Sequence, residues 1–318
     1  MLEEIRQGCR RVAQQAQQVR IVEERLAAYA GELARHPLQH LQLDANSHFL
    51  GPDEEETVAF FLTLDTINFG SGYFPALGIR PEQSGYYTLA GALTDWFNRQ
   101  GMLGAAELAS ISPQRCAEIF RQDLTRPAAA DLMQLFARAW RELGSFLLAH
   151  HGGRFSALVE RAGGCAEKLV GLLGGLPSYR DRAVYRGEEV LFYKRAQIAV
   201  ADLYLAFGGE GAGEFRDIDR LTLFADNLVP HVLRQDGVLV YGAELAQRIG
   251  AGEPLPAGSA EEVEIRGCAV EAVERLVADL QQRGTPVFPL HLDNFLWHRG
   301  QQPDYRRTPR HRTLTCFY

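Results

Sequence analysis

The sequence predicts a mainly α protein with a few short β-strands, and three observations carry that expectation. Apolar residues recur at three- and four-residue spacing along most of the 318 residues, the period of helices with one buried face. Several helix ends carry their own chemical marks. Runs rich in β-branched and aromatic residues are few and short.

At the N-terminus Ile5, Cys9, Val12 and Ala16 form one apolar stripe and Val22, Leu26, Tyr29 and Leu33 a second, so two helices are expected there. Asp53 precedes EEETVAFFLTLDTI and reads as an N-cap followed by acids in the first turn. Ser112 and Pro113 start the helix that carries Ala117, Ile119 and Phe120. Further helices are expected over 86–99, 128–150, 155–174, 192–207 and 260–283. The last opens with Ser259 and Glu262 at capping-box spacing and closes at Gly284, ahead of Pro286. Strands are expected around 188–192, 237–241, 286–288 and 313–318, too little for a dominant sheet. Without repeats or low-complexity runs, residues 1–318 read as one compact catalytic unit. A loose division near residue 175 separates a helical part, 1–175, from a motif-bearing part, 176–318.

Composition excludes several classes. With 46% hydrophobic residues the chain can build a core. Its 33 basic and 40 acidic residues leave a formal charge of -7, so the footprint of a protein that wraps a nucleic-acid backbone is missing and no stable nucleic-acid complex is expected. Five scattered cysteines without a CxxC pair suit reduced thiols and a cytoplasmic location. The charged N-terminus lacks an apolar leader, no span has membrane length, and a monomer is expected. There is no GxGxxG after a strand, Walker loop, HExxH or GxSxG. Pro37 interrupts His36 and His40, and His150 and His151 diverge, so neither a metal site nor a cofactor is expected.

The candidate chemistry centres on FADNLVPHVLR, residues 224–234, where Asp226 follows the aromatic Phe224 and precedes the helix-breaking Pro230. Cleaving a base from a ribose builds positive charge at C1', which one carboxylate can stabilise or attack, while an aromatic face holds the base. A helix cap and a surface ion pair are the other roles open to Asp226. Residues two apart do not share a helix face, so a site using both requires a bend or a helix end. In HLDNFLWHRG (291–300), Asp293 can pair with the N–H edge of a guanine-type base, or cap a short helix. His48, in DANSHFL, is either a base contact or a satisfied core histidine. LDTINFGSGYFP (64–75) gathers Asp65, Asn68 and aromatics around two glycines, as a pocket wall or an ordinary turn does. For an anionic group, Lys194 or Arg195 at the start of a helix is the first candidate; His231 and the basic run YRRTPRHR (305–312) are weaker ones.

FADNLVPHVLR and HLDNFLWHRG, with YKRAQIAVADLY (193–204), EIRGCAVEAVE (264–274) and HRTLTCFY (311–318), resemble the queuosine salvage family of queuosine 5'-phosphate N-glycosylases over the C-terminal two fifths of the chain. The resemblance implies a helical fold reminiscent of DNA glycosylases. It also implies a small-molecule nucleotide substrate, with queuine and ribose 5-phosphate as products. On it, Asp226 is the nucleophile or stabiliser, and Phe224 lines the base pocket with His48, Asp293, Asn294 and His298. Asn294 and His298 depart from the acids and tyrosines usual in the family. The alternatives are a DNA or RNA glycosylase acting on a flipped base, and a non-catalytic binder of modified nucleosides.

Overall fold

The computed structural model describes residues 1–41, 43–44, 46–78 and 84–318. Along it run α1 (Leu2–Gln15), β1 (Val19–Ile21), α2 (Glu23–Leu33), α3 (Glu54–Thr66), α4 (Gly85–Gln100), α5 (Ala105–Ser110), α6 (Pro113–Phe120), α7 (Pro127–His150), α8 (Phe155–Ala162) and α9 (Ala166–Gly174). Then follow β2 (Arg182–Tyr185), β3 (Glu188–Leu191), α10 (Lys194–Ala206), α11 (Val229–Gln235), β4 (Leu239–Tyr241), α12 (Ala243–Gly250), α13 (Ala260–Gln282), α14 (Pro289–Gly300) and α15 (Pro303–Arg306). The mainly α expectation holds. Among the described residues no helix is long and apolar enough to cross a membrane.

The marked caps form as read. Asp53 accepts from the Glu56 N–H at 2.9 Å, Ser112 from Arg115 at 3.1 Å and Ser259 from Glu262 at 3.3 Å. Only half of the capping box closes at Ser259, because Glu262 reaches the Gly258 N–H at 3.1 Å. Gly284, with φ 84°, ends α13 as expected.

Other expectations change. The helix expected over 155–174 is two helices, because Gly163 and Gly164 both adopt left-handed backbone (φ 62° and 66°) and end α8. The helix expected from 192 begins at Lys194, after Tyr193 with φ 47°. Strands form near 188–192 and 237–241 and pair antiparallel with β2 and β1, which carry little apolar alternation of their own. Arg186 and Gly187, both at positive φ, make the two-residue turn between β2 and β3. Residues 286–288 are no strand: the Val287 N–H closes a turn on the Thr285 carbonyl and Phe288 caps α14. Residues 313–318 form no strand.

The chain divides into two compact units. The first comprises Met1–Gln42, Asp181–Lys194 and Asp219–Leu314. Its axis is α13, against which α1, α2, β1, α11 and α14 lie. Gly267 lets α1 approach, since a Cβ there would sit 2.7 Å from Val12 Cγ1. The Glu264 carboxylate accepts the N–H groups of Gln17, Gln18 and Val19 at 3.0, 2.6 and 3.1 Å and the Tyr185 hydroxyl at 2.8 Å. A buried acid is thereby satisfied on several sides.

The second unit comprises Leu43–Arg180, Arg195–Ile218 and Thr315–Tyr318. Here α7 is central, flanked by α3, α5 and α6. Gly144 permits the crossing of α5, because a Cβ would meet the Ala109 nitrogen at 2.4 Å. Trp140 donates to the Thr63 carbonyl at 2.8 Å. Arg195 donates to the carbonyls of Thr66, Ser178 and Cys316, and its guanidinium lies 4.7 Å from the ring centroids of both Phe69 and Tyr179. Those bonds hold three chain segments of the unit together.

Candidate active site

From Leu221 to Leu233 every residue of the first unit is buried except Asp226, which is half-buried. The segment is apolar enough to be pulled into the core, and its one acid is left at the surface. Asp226 Oδ1 accepts the N–H groups of Leu228 at 2.7 Å and Val229 at 3.2 Å, two donors left unsatisfied at the start of α11. Among the described residues Oδ2 has no hydrogen-bond partner. Pro230 lies in the first turn of α11, where no N–H is needed, so it starts a helix where a break was expected. The residues from 224 to 228 are non-helical, which is the irregularity that the spacing of Phe224 and Asp226 demanded.

Two long-range bonds hold this loop. Asp293, buried on α14, accepts the Phe224 N–H through Oδ1 at 3.0 Å. Arg266, buried on α13, donates to the Ala225 carbonyl at 2.9 Å. Thus the residues on either side of the Phe224–Ala225 peptide are tied to two different helices, and Asp226 follows directly. Arg266 also donates to Asp181 Oδ2 at 2.6 Å and to Glu262 at 3.4 Å, with its guanidinium 3.9 Å from the centroid of Phe192. Asp181 Oδ2 in turn accepts the Lys194 N–H at 3.1 Å, so one network joins the Asp226 loop to the backbone of Lys194. Arg266 lies inside the segment EIRGCAVEAVE, and the sequence signal that singles it out is Glu262, one helical turn earlier.

The other expected residues fall in several places. Lys194 is buried at the first turn of α10. Asn294 and His298 share a face of α14, about 100° or more from Asp293, and line a cleft of about 830 Å³ with His36, Asp236, Arg299 and Tyr305. In that cleft Asp236 accepts the hydroxyls of Tyr29 and Tyr305, the latter at 2.6 Å. His231 is buried on α11, where its Nε2–H donates to the Tyr305 carbonyl at 2.9 Å and burial lowers its pKa. His48 belongs to the second unit, with Nδ1 on the Asp44 carbonyl and Nε2 on the Tyr86 hydroxyl, each at 2.8 Å. A carbonyl only accepts, so Nδ1 carries the proton, and in a neutral ring Nε2 accepts from the Tyr86 hydroxyl. Burial raises the Tyr86 pKa well above its usual value and keeps that donor protonated. In the same unit Asn68 donates to the buried Asp65 at 3.2 Å.

The structure therefore brings Phe224, Asp226 and Asp293 together around one loop, whereas Asn294 and His298 open on a neighbouring cleft. An acid with one oxygen fixed by two N–H groups and the other unbonded is positioned for a cation or a developing positive charge.

The model of the family described as queuosine salvage protein matches residues 48–318. The queuosine 5'-phosphate N-glycosylase/hydrolase of Sphaerobacter thermophilus is 39% identical over 316 residues, covering 97% of this chain and 96% of its own. Its namesakes from Mus musculus and Dictyostelium discoideum are 36% and 34% identical, over 74% and 83% of this chain and 72% and 79% of theirs. The chain belongs to the queuosine salvage protein family.

Proposed function

We propose that this chain is an N-glycosidic hydrolase that cleaves queuosine 5'-phosphate to queuine and ribose 5-phosphate, for salvage of the base. The observation that carries the reading is Asp226: the one accessible side chain in a buried segment, preorganised by the Leu228 and Val229 N–H groups. As the C1'–N bond lengthens, its electrons leave with the base and positive charge spreads over C1' and the ring oxygen. Asp226 Oδ2 faces that charge, either as an electrostatic partner or by bonding to C1'. Water then supplies the hydroxyl at C1', and its proton balances the departing base. Because two N–H groups already orient the carboxylate, little reorganisation accompanies charge development.

The base is a 7-deazaguanine, with carbon where a purine has N7, so protonation at that position cannot assist departure. Charge on the leaving group is handled by hydrogen bonds at the remaining edge, with Asp293 as the contact and the Phe224 ring as the platform. Asn294 and His298 line the neighbouring cleft, and Lys194 and His231 are assigned to the anionic end. The names of the relatives support the substrate. The chain acts in the cytoplasm as a monomer.

Chromatography after incubation with queuosine 5'-phosphate, queuosine and guanosine 5'-phosphate tests the reading. Release of queuine from the first, abolished by Asp226→Asn, is expected. Absence of released base from all three overturns it.

A further inference from the structure

The C-terminal basic run, residues 305–312, is pinned along its length within the first unit. The Tyr305 carbonyl accepts from His231, and the His311 carbonyl accepts the Asn227 amide at 3.2 Å. The Arg312 carbonyl accepts the Leu255 N–H at 2.7 Å. Two of these three anchors, His231 and Asn227, lie within five residues of Asp226 in the chain, so the basic run is held beside the Asp226 loop.

The cations of the run have different fates. Arg307 pairs with Asp304 at 3.1 Å, and Arg312 donates to the Gly252 carbonyl. Arg306 is exposed, where solvent satisfies it. Arg310 is half-buried, yet among the described residues no hydrogen bond or ion pair holds its guanidinium. Asp226 is the carboxylate whose charge acts on it, and Arg306 adds a like charge nearby. Burial lowers its pKa, and it joins Arg266, Arg234 and His231 in depressing that of His311, so the local field is positive. A partly desolvated guanidinium with five unused donors is unfavourable unless an anion completes it.

We propose that Arg310 is a ligand of the phosphate monoester of the nucleotide whose sugar sits at Asp226. The inference rests on the hydrolase reading for the identity of the nucleotide, and on the partner accounting above for the residue. Arginine suits the task because its planar fork meets two phosphate oxygens at once. His231, whose Nε2–H is held by the Tyr305 carbonyl, then serves to place the run that carries Arg310.

The test compares the native chain with Arg310→Ala and Arg310→Lys on queuosine 5'-phosphate and on queuosine, alongside thermal melts titrated with inorganic phosphate. Arg310→Ala is expected to lower kcat/KM for the nucleotide roughly 30- to 100-fold, the range of a charge-assisted phosphate contact. For the nucleoside the change stays within about twofold, and Arg310→Lys falls between. Phosphate raises the melting temperature of the native chain but not of Arg310→Ala. An equal loss on both substrates, an unchanged nucleotide kcat/KM, or phosphate stabilisation that survives in Arg310→Ala overturns the assignment. If the native chain releases base from neither substrate, the hydrolase reading fails, and the phosphate melts alone still decide whether Arg310 binds the anion.

Discussion

Asp293 Oδ1 lies 3.0 Å from the backbone nitrogen of Phe224, so a carboxylate on α14 fixes the loop that presents Asp226. The bond spans sixty-nine positions of the chain and joins two segments that share no local pattern. It gives Asp293 a role in shaping the candidate site besides any contact with a base.

Replacing Asp293 by alanine leaves the Phe224 N–H buried without its acceptor, at about 1.5–3 kcal/mol of stability. Turnover is expected to fall with it, whereas Asp293→Asn, whose carboxamide oxygen still accepts, keeps most of the stability. Urea unfolding beside base-release assays checks the pair; equal stability of the two variants removes the anchoring role.

Asp226→Asn separates chemistry from capping. The asparagine oxygen can still receive the Leu228 and Val229 N–H groups, so unfolding free energy should change by less than about 0.5 kcal/mol. Base release should drop by about 10³-fold or more, with substrate binding kept. Asp226→Ala should in addition lose about 1 kcal/mol of stability. Isothermal binding measurements and melts on the two variants distinguish these effects.

Arg266→Met isolates a buried network. Arg266, Asp181 and Glu262 are each 3% exposed at the side chain, so deleting the cation removes the guanidinium bond from two buried acids and from the Ala225 carbonyl. A loss of about 3–5 kcal/mol is expected, read as a lower urea midpoint. A midpoint near the native one means that solvent reaches those acids on relaxation and that the network does not hold the loop.

Acid should destabilise the first unit through His311. The ring is 2% exposed, and burial, reinforced by Arg266 and Arg310, lowers its pKa to about 3 from 6.5. Between those values the unfolded chain binds a proton that the folded chain refuses, so stability falls as pH drops below 6.5, by about 1.4 kcal/mol per pH unit for one such group. His231 and His291 shift in the same direction, and Glu274, whose pKa is raised, acts oppositely above 4.5. The slope is therefore read as native minus His311→Asn, from urea midpoints between pH 7 and 5. Identical slopes exclude His311 as the source.

Much of the fold was legible because it is written in short windows. Asp53, Ser112 and Ser259 cap helices with bonds to residues three positions on, and Gly284 ends α13 through its own φ. The failures have the same origin. An apolar run such as 313–318 becomes a strand only if another strand lies beside it, and no local feature reports that. Pro230, a helix breaker by residue type, stands in the first turn of α11 and so starts a helix. Gly163 and Gly164 end α8 inside a run whose apolar spacing reads as one helix.

The candidate site divides in the same way. Sequence by itself determined the helical class, the main caps and the acid Asp226 within an apolar segment, since periodicity, capping and residue chemistry act between near neighbours. Only the tertiary structure decided that Asp293 holds the Phe224 amide, that Arg266 holds the Ala225 carbonyl, that Arg195 binds three carbonyls and that Arg310 binds none. Every buried polar group must find a partner, but which one it finds depends on the packing of segments far apart in the chain.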